Sequence, residues 1–130
     1  MSDQTPDGPA DDATEEAIRI GFEMLDMARA GEPQLLAYVD AGAPVNLTGP
    51  TGDTLLMLAA YHGHGELVRG LVARGADVNR RNDRDQSPLA GAVFKGYDDV
   101  VTSLLEAGAD PDAGTPSARE AAAMFGRELR

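Results

Sequence analysis

Cysteine is absent from this 130-residue chain, and lysine occurs once, as Lys95. Without cysteine the protein has no disulfide, no thiol nucleophile and no thiolate ligand for a metal. The sequence also has no apolar run of about 18 residues or more, so it predicts no membrane-spanning segment. Basic residues are few, since 11 Lys and Arg stand against 22 Asp and Glu to give a formal net charge of −11. This excess of acid disfavours binding to nucleic-acid phosphates and helps to keep a small protein in solution.

The N-terminal segment is acidic and contains almost nothing apolar. From Met1 to Glu16 there are six acidic side chains and no Lys or Arg. A secretory signal needs a basic start and an apolar core, so we expect a cytoplasmic protein. Residues 1–11 lack the apolar side chains that folding requires, and we expect them to form a flexible acidic tail.

Two stretches of the chain repeat each other without a gap at a fixed spacing of 33 residues, the distance from Thr54 to Ser87. Hydroxyl, leucine and glycine positions recur at this spacing: Thr54 and Ser87, Leu56 and Leu89, Gly63 and Gly96, Leu71 and Leu104, Gly75 and Gly108. A fixed period of this length is typical of a solenoid, in which each unit buries its apolar face against its neighbours. The period therefore predicts a stacked solenoid and favours a binding role over catalysis.

Helix signals define each unit. Thr54 and Ser87 are placed to cap a first helix, and Gly63 is placed to end one, because glycine enters the left-handed conformation cheaply. Apolar residues of the second helix form one stripe in each unit: Leu67, Val68, Leu71 and Val72, then Val100, Val101, Leu104 and Leu105. We therefore predict an all-α fold of stacked helix-turn-helix units with projecting loops, with Leu71 and Leu104 in the core between the units.

Atypical units flank the two regular ones, as the ends of a solenoid require. In the first, Asp12 and Glu15 have capping-box spacing, which predicts a helix start at Asp12. The apolar residues that follow at helical spacing are Ile18, Phe22, Leu25 and Ala28. In the last unit, Thr115-Pro116 offers a cap and a first-turn proline, and we expect Phe125 to plug the end. The predicted units are residues 12–46, 47–79, 80–112 and a truncated 113–130.

The second unit resembles the ankyrin repeat. The resemblance rests on the runs Gly52-Asp53-Thr54-Leu55-Leu56-Met57-Leu58-Ala59-Ala60-Tyr61-His62-Gly63-His64, Glu66-Leu67-Val68 and Gly75-Ala76-Asp77-Val78-Asn79. Ser87-Pro88-Leu89-Ala90 and Gly108-Ala109-Asp110-Pro111 repeat it one unit later, so that it covers about residues 14–130. The chain is also similar to small stand-alone bacterial ankyrin proteins. The resemblance implies two antiparallel helices per unit, a loop that projects as a finger, and a concave face that binds proteins.

Two departures from the family pattern concern the turns. The family's Thr-Pro-Leu-His tetrapeptide becomes Thr54-Leu55-Leu56-Met57 and Ser87-Pro88-Leu89-Ala90, so the histidine and its hydrogen bond are missing. The finger glycine is kept as Gly52, but Asp85 replaces it at the equivalent position of the next unit. Because a residue other than glycine is strained at positive φ, we expect altered geometry in that later finger.

Two motifs resemble catalytic or metal sites, and for each we favour a structural interpretation. His62-Gly63-His64-Gly65-Glu66 offers imidazole and carboxylate groups that suit zinc, which leaves a metal-dependent enzyme as a remote alternative. However, Gly63-His64 is also the structural turn of the ankyrin pattern. Acidic pairs such as Asp98-Asp99 are typical of helix capping, and nothing nearby marks a nucleophile or a base. We therefore expect no catalytic residue, no cofactor and no metal.

The variable positions of the predicted concave face are the candidate binding residues. They are Pro50, Thr51, Asp53, Tyr61 and His62 in the second unit, Asp83, Arg84, Gln86, Phe94 and Lys95 in the third, and Arg80 and Arg81 between the fingers. Aromatic and Arg side chains anchor many interfaces, and Tyr61 and Phe94 are expected to be neighbours along the groove. We predict a non-catalytic module, monomeric on its own, that binds a partner protein and neither nucleic acid nor membrane. The alternative is a stoichiometric, antitoxin-like inhibitor of a basic partner.

Overall fold

The structure, a computed structural model, describes residues 8–129, with side chains from residue 14 onward. In that range the chain forms seven α-helices and no β-strand beyond an isolated bridge between Thr48 and Thr54. The helices are α1 (Gly8–Ala30), α2 (Gln34–Asp40), α3 (Leu55–Tyr61), α4 (Gly65–Ala73), α5 (Pro88–Lys95), α6 (Asp98–Glu106) and α7 (Ala118–Met124). None of these described helices has the length and hydropathy needed to cross a membrane. The all-α prediction is confirmed.

The helices form the two rows of a stacked solenoid. α1, α3, α5 and α7 pack against one another in order and make an inner row, while α2, α4 and α6 make an outer row. Each outer helix also packs against the inner helix that precedes it. Because every unit contacts mainly its neighbours, the stack has the nearest-neighbour organisation that the sequence period predicts.

Hydroxyl side chains start three of the inner helices. Thr54 and Ser87 cap α3 and α5 as predicted, since each hydroxyl oxygen accepts a hydrogen bond at 3.0 Å from an amide three residues later. Ser117 caps α7 through a capping box, in which the Glu120 carboxylate accepts from the Ser117 amide at 2.9 Å. The prediction that Thr115-Pro116 caps this helix is wrong, because α7 starts only after Ser117.

The core runs along the stack between the two rows. Leu71 and Leu104 are both 0% exposed, so their predicted place in the core is confirmed. Leu35 in α2 is also fully buried, and its counterparts in the repeat, Val68 and Val101, are buried in α4 and α6. This repetition follows from the sequence, because the apolar stripe of each outer helix faces the preceding inner helix.

Polar side chains fix successive units in register along the outside of the stack. Arg74, which follows α4, donates to the Asp40 carboxylate from Nε at 2.8 Å and from Nη2 at 3.1 Å. Hydrogen bonding by the Arg74 guanidinium lowers the pKa of Asp40 from its ordinary value of 3.8. In the loops, the amides of Asp77 and Asp110 donate to the asparagine side chains of the preceding unit at 2.8 and 2.7 Å.

The N-terminal end differs from the sequence-based expectation. α1 begins at Gly8, so the helix start predicted at Asp12 is wrong. Residues 1–7 of the predicted tail lie outside the described residues. Leu25 is buried, whereas Ile18 and Phe22 are 55% and 51% exposed although they follow the same helical spacing. The first half of α1 therefore leaves apolar side chains open to solvent.

The C-terminal end also differs, because Phe125 does not plug the stack. Its side chain is 51% exposed and lies against the ring of Phe94, with centroids 5.8 Å apart. The polar end of the stack is supplied instead by Arg127, which donates to the Asp98 carboxylate at 2.6 Å. The boundaries assigned to the four units from the sequence stay a prediction.

Candidate functional site

The two fingers are tight turns with the same backbone hydrogen bonds. The Gly52 amide donates to the Gly49 carbonyl at 3.0 Å, and in the next finger the Asp85 amide donates to the Asn82 carbonyl at 3.0 Å. Asp85 has φ 60°, close to the 80° of Gly52. The expectation of altered geometry in the later finger is therefore wrong, because Asp85 adopts the conformation that glycine adopts in the earlier one.

Contacts across the fingers offset the strain at Asp85. Its Oδ2 accepts from the Thr115 hydroxyl at 2.7 Å, and its carbonyl accepts from the Thr115 amide at 2.9 Å. Its Oδ1 lies 3.2 Å from Nε of Arg81. Aspartate tolerates the left-handed region better than most side chains, and these partners hold it there. Asp85 thus joins its finger to the segment that precedes α7.

Asn82 connects the two fingers, although it is not among the candidate residues predicted from the sequence. Its side chain is buried, and its Nδ2 donates to Asp53 at 2.7 Å and to the Gln86 side chain at 2.8 Å. Its Oδ1 accepts from the amides of Arg84 at 3.0 Å and Gln86 at 2.9 Å. The available signal was an asparagine at the first position of a turn, where its side chain commonly bonds backbone amides further along.

Several candidate binding residues therefore hold the fingers together. Asp53 accepts from Asn82 and also from the Thr51 hydroxyl, at 3.0 Å. The Thr51 carbonyl accepts from the Asp83 amide at 3.0 Å, which bonds one finger to the next. Pro50, Thr51 and Asp83 remain exposed at the finger turns, whereas Asp53 and Gln86 are half-buried. A partner can therefore reach Pro50, Thr51 and Asp83 more easily than the two half-buried residues.

Aromatic side chains form a row beside the fingers. Tyr61 is 40% exposed and Phe94 is 53% exposed, and both line a shallow pocket of about 160 Å³. Gln86 and Met57 also line this pocket, so it lies where the inner helices meet a finger. Phe125 extends the row through its contact with Phe94. The structure thus brings Tyr61 and Phe94 to one pocket and adds a third ring that the sequence analysis placed elsewhere.

The basic candidates divide into paired and unpaired side chains. Arg81 forms an ion pair with Asp85, whereas Arg80, Arg84 and Lys95 have no carboxylate partner within residues 14–129. The Lys95 ammonium lies 5.1 Å from the centroid of the Tyr61 ring, a cation–π distance. The twelve candidates include four basic and two acidic residues, so their formal charge is positive in a chain of −11. This surface, named here the finger face, is a local exception to the acidic chain.

The two histidines are tied to the backbone by one ring nitrogen each. Nδ1 of His62 donates to the Leu58 carbonyl at 2.8 Å, and Nε2 of His64 donates to the Arg29 carbonyl at 2.7 Å. The His64 bond satisfies a carbonyl at the end of α1, where helices leave such groups unpaired. No group of three or more His, Asp or Glu in the described part of the chain is arranged to hold a metal. A structural function of His64 follows from this geometry.

Two comparisons with known proteins bear on this solenoid. The family model for ankyrin repeats, in three copies, matches residues 24–115. A protein of Pseudomonas aeruginosa that carries the name of an ankyrin repeat protein is 42% identical over 64 residues. That match covers 48% of this chain and 37% of the relative, so the chain spans well under half of the relative's length.

Proposed function

This chain belongs to the ankyrin repeat family, whose members are generally protein-interaction modules, and we propose that it binds a partner protein through the finger face. The binding is non-catalytic and uses no cofactor. The observation that carries the proposal is the exposed pair Tyr61 and Phe94 at one pocket, with the Lys95 ammonium 5.1 Å from the centroid of the Tyr61 ring. We further propose that the protein acts as a monomer in the cytoplasm.

The aromatic pair supplies most of the proposed affinity. Fully burying one large apolar side chain contributes about 1.5–3 kcal/mol, whereas an exposed ion pair contributes about 0–1 kcal/mol. Tyr61 and Phe94 are about half exposed, so each retains substantial surface for a partner to cover. A partner that inserts an apolar side chain into the pocket would contact both rings. The aromatic contacts therefore outweigh any single charge on this face.

The unpaired cations favour an acidic patch on the partner. Arg80 and Arg84 are exposed and have no carboxylate partner within residues 14–129, so a partner carboxylate can bind them without breaking an existing ion pair. Arg81 is less available, because it already holds Asp85. Charges at the rim of an interface mainly raise the association rate and set specificity. We therefore assign the orienting function to Arg80, Arg84 and Lys95.

The hydrogen bonds within the fingers support rigid recognition. Asn82 bonds both the preceding finger and its own, and Asp85 bonds the segment before α7. A loop that is ordered before binding loses less conformational entropy when the partner docks. The finger face therefore needs little rearrangement to bind, which favours tight binding by a small surface.

The test begins with affinity capture of partners from native cell extract, followed by titration calorimetry with the purified partner. The double variant Tyr61→Ala with Phe94→Ala should weaken binding roughly 10- to 100-fold, since the exposed half of each side chain accounts for about 1.5–3 kcal/mol of burial in total. The matched control is Glu66→Ala with Thr102→Ala, which removes two exposed side chains of the outer row and should bind like the parent. Full affinity of the aromatic double variant, with unchanged circular dichroism, would place the binding site elsewhere.

A second candidate is an inhibitor that covers a basic site on its target. The net charge of −11 supports it, because an acidic protein is attracted to basic surfaces. The two candidates predict opposite effects at the finger face. Arg84→Gln should weaken binding of an acidic partner mainly at low salt, because salt screens exposed charges. The same change should strengthen or leave unchanged the binding of a basic target.

A further inference from the structure

A second open apolar surface lies between the first half of α1 and the segment 47–50. It shares no lining residue with the pocket of Tyr61 and Phe94 and meets the finger face at Pro50. The groove has a volume of about 650 Å³. The side chains and backbone that define it are Ala17, Ile18, Gly21 and Phe22 from α1, with Leu47 and Pro50 opposite. A volume of this size lies within the range of pockets that bind ligands or partner side chains.

The groove stays open because α1 is longer than the other inner helices. α1 has 23 residues, whereas α3, α5 and α7 have seven or eight. Gly31 and Gly63 end α1 and α3 in the same left-handed conformation, which aligns Phe22 with the cap residue Thr54. Residues before Phe22 therefore precede the level at which α3 begins and have no inner helix beside them in the described part of the chain. Ile18 and Phe22 are left more than half exposed.

Acidic residues accompany this apolar strip. α1 contains Asp11, Asp12, Glu15 and Glu16 before Ile18, and no basic residue. Glu16 forms an ion pair with Arg19, but Glu15 is exposed and has no ion pair within residues 14–129. Glu15 lies three residues before Ile18 and seven before Phe22, which places all three on one side of the helix. Helical spacing thus places the Glu15 carboxylate on the side of α1 that carries Ile18 and Phe22, and no ion pair holds it within residues 14–129.

We propose that this groove docks the apolar face of a basic amphipathic helix from a partner protein. Apolar side chains of that helix would cover Ile18 and Phe22, and a Lys or Arg beside them would bind Glu15. Laying one face of a helix into an apolar groove is a common mode of peptide recognition. The charge of this site is opposite to that of the finger face, so the two surfaces select different partner segments. The inference does not depend on the function proposed for the finger face.

Three synthetic peptides of roughly 15 residues, long enough to form a helix when bound, test the proposal. One has leucine on one face and lysine on the other, the second replaces lysine by glutamate, and the third replaces leucine by serine in the lysine peptide. The parent protein should bind the leucine–lysine peptide at least about tenfold more tightly than the other two by fluorescence anisotropy. Equal binding of the serine–lysine peptide would mean attraction by net charge alone and would overturn the proposal. Equal binding of the leucine–glutamate peptide would show that the groove does not select a basic helix and would also overturn the proposal.

Variants locate the binding site. Ile18→Ser with Phe22→Ser should weaken binding of the leucine–lysine peptide at least about tenfold, and Glu15→Lys should reduce the preference for the leucine–lysine over the leucine–glutamate peptide. Both are changes of exposed side chains, and an unchanged thermal melt confirms that the variants fold. Tyr61→Ala with Phe94→Ala is the matched control and should bind like the parent. A loss in that control with none in the groove variants would assign the peptide to the finger face.

The same variants distinguish docking of a partner from self-association. The parent should sediment as a monomer at the concentration of the binding assay. A parent dimer that Ile18→Ser with Phe22→Ser dissociates would show that a second copy of the chain covers the groove, and it would overturn the proposal.

Discussion

Replacing Asn82 by alanine tests whether one side chain holds the fingers in place. The parent side chain accepts two backbone hydrogen bonds, from Arg84 and Gln86, and donates two more to Asp53 and Gln86. The alanine variant leaves two amides, a carboxylate oxygen and an amide oxygen without their partner. Asn82 is 7% exposed, so water reaches this network poorly in the parent.

The expected loss of unfolding free energy is about 2–4 kcal/mol. A hydrogen bond contributes a net of roughly 0.5–1.5 kcal/mol, and more when one partner is charged, as Asp53 is. Four such bonds sum to about 2–6 kcal/mol, and the upper end is not reached because Asp53 and Gln86 are half-buried and water replaces part of what is lost. At about 3–6 °C per kcal/mol for a domain of this size, the melting temperature should fall by roughly 6–24 °C.

Urea unfolding followed by circular dichroism measures this loss. Asn79→Ala is the matched control, because exposed Asn79 accepts one amide bond, from Asp110, and its removal should cost about 1 kcal/mol or less. Asn82→Asp adds a second comparison: it keeps the acceptor oxygens but sets a carboxylate against Asp53, so it should also destabilise. An Asn82→Ala variant within about 0.5 kcal/mol of the parent would refute the assignment of Asn82 as the connection between the fingers.

Two further predictions concern the stack. Leu104→Ala should cost about 2–5 kcal/mol because the side chain is fully buried, and a single cooperative urea transition should persist since each unit needs its neighbours; a melt identical to the parent would contradict the packing. Arg74 lowers the folded-state pKa of Asp40, so this carboxylate contributes stability above about pH 4 that is lost as the pH falls through its folded-state pKa. The melting-temperature advantage of the parent over Asp40→Asn should therefore shrink between about pH 5 and pH 2, and a constant difference would contradict it.

The fold and much of the core could be predicted from the sequence, because the fixed repeat period and the helix caps are local signals. Thr54 and Ser87 cap their helices through an amide three residues away, and Leu71 and Leu104 fall on stripes with helical spacing. Interactions within one or two turns depend little on the rest of the chain. The predicted start of α1 was wrong because a local signal has limits: a capping-box spacing at Asp12 does not exclude further helical turns before it.

The pairing of side chains at the finger face depended on the folded conformation of each finger and on contacts between neighbouring units. The sequence places Arg80, Arg81 and Arg84 together, but only the folded chain pairs Arg81 with Asp85 and leaves the other two without a carboxylate partner in residues 14–129. Likewise, Asn82 reaches back to Asp53 in the preceding finger, and Asp85 reaches forward to Thr115. The contacts of Asn82 and Asp85 with other units are set by how one unit is rotated on the next, which the period does not specify.

The sequence alone determined that this chain is a stack of helical units with a variable surface, because periodicity and capping act within each unit. Only the tertiary structure decided which of those surface residues are open to a partner. It exposed Phe125 beside Phe94 and left a groove along Ile18 and Phe22. The physical reason is that exposure depends on where neighbouring elements end, and the unequal lengths of α1 and α3 leave one apolar face without a helix to cover it.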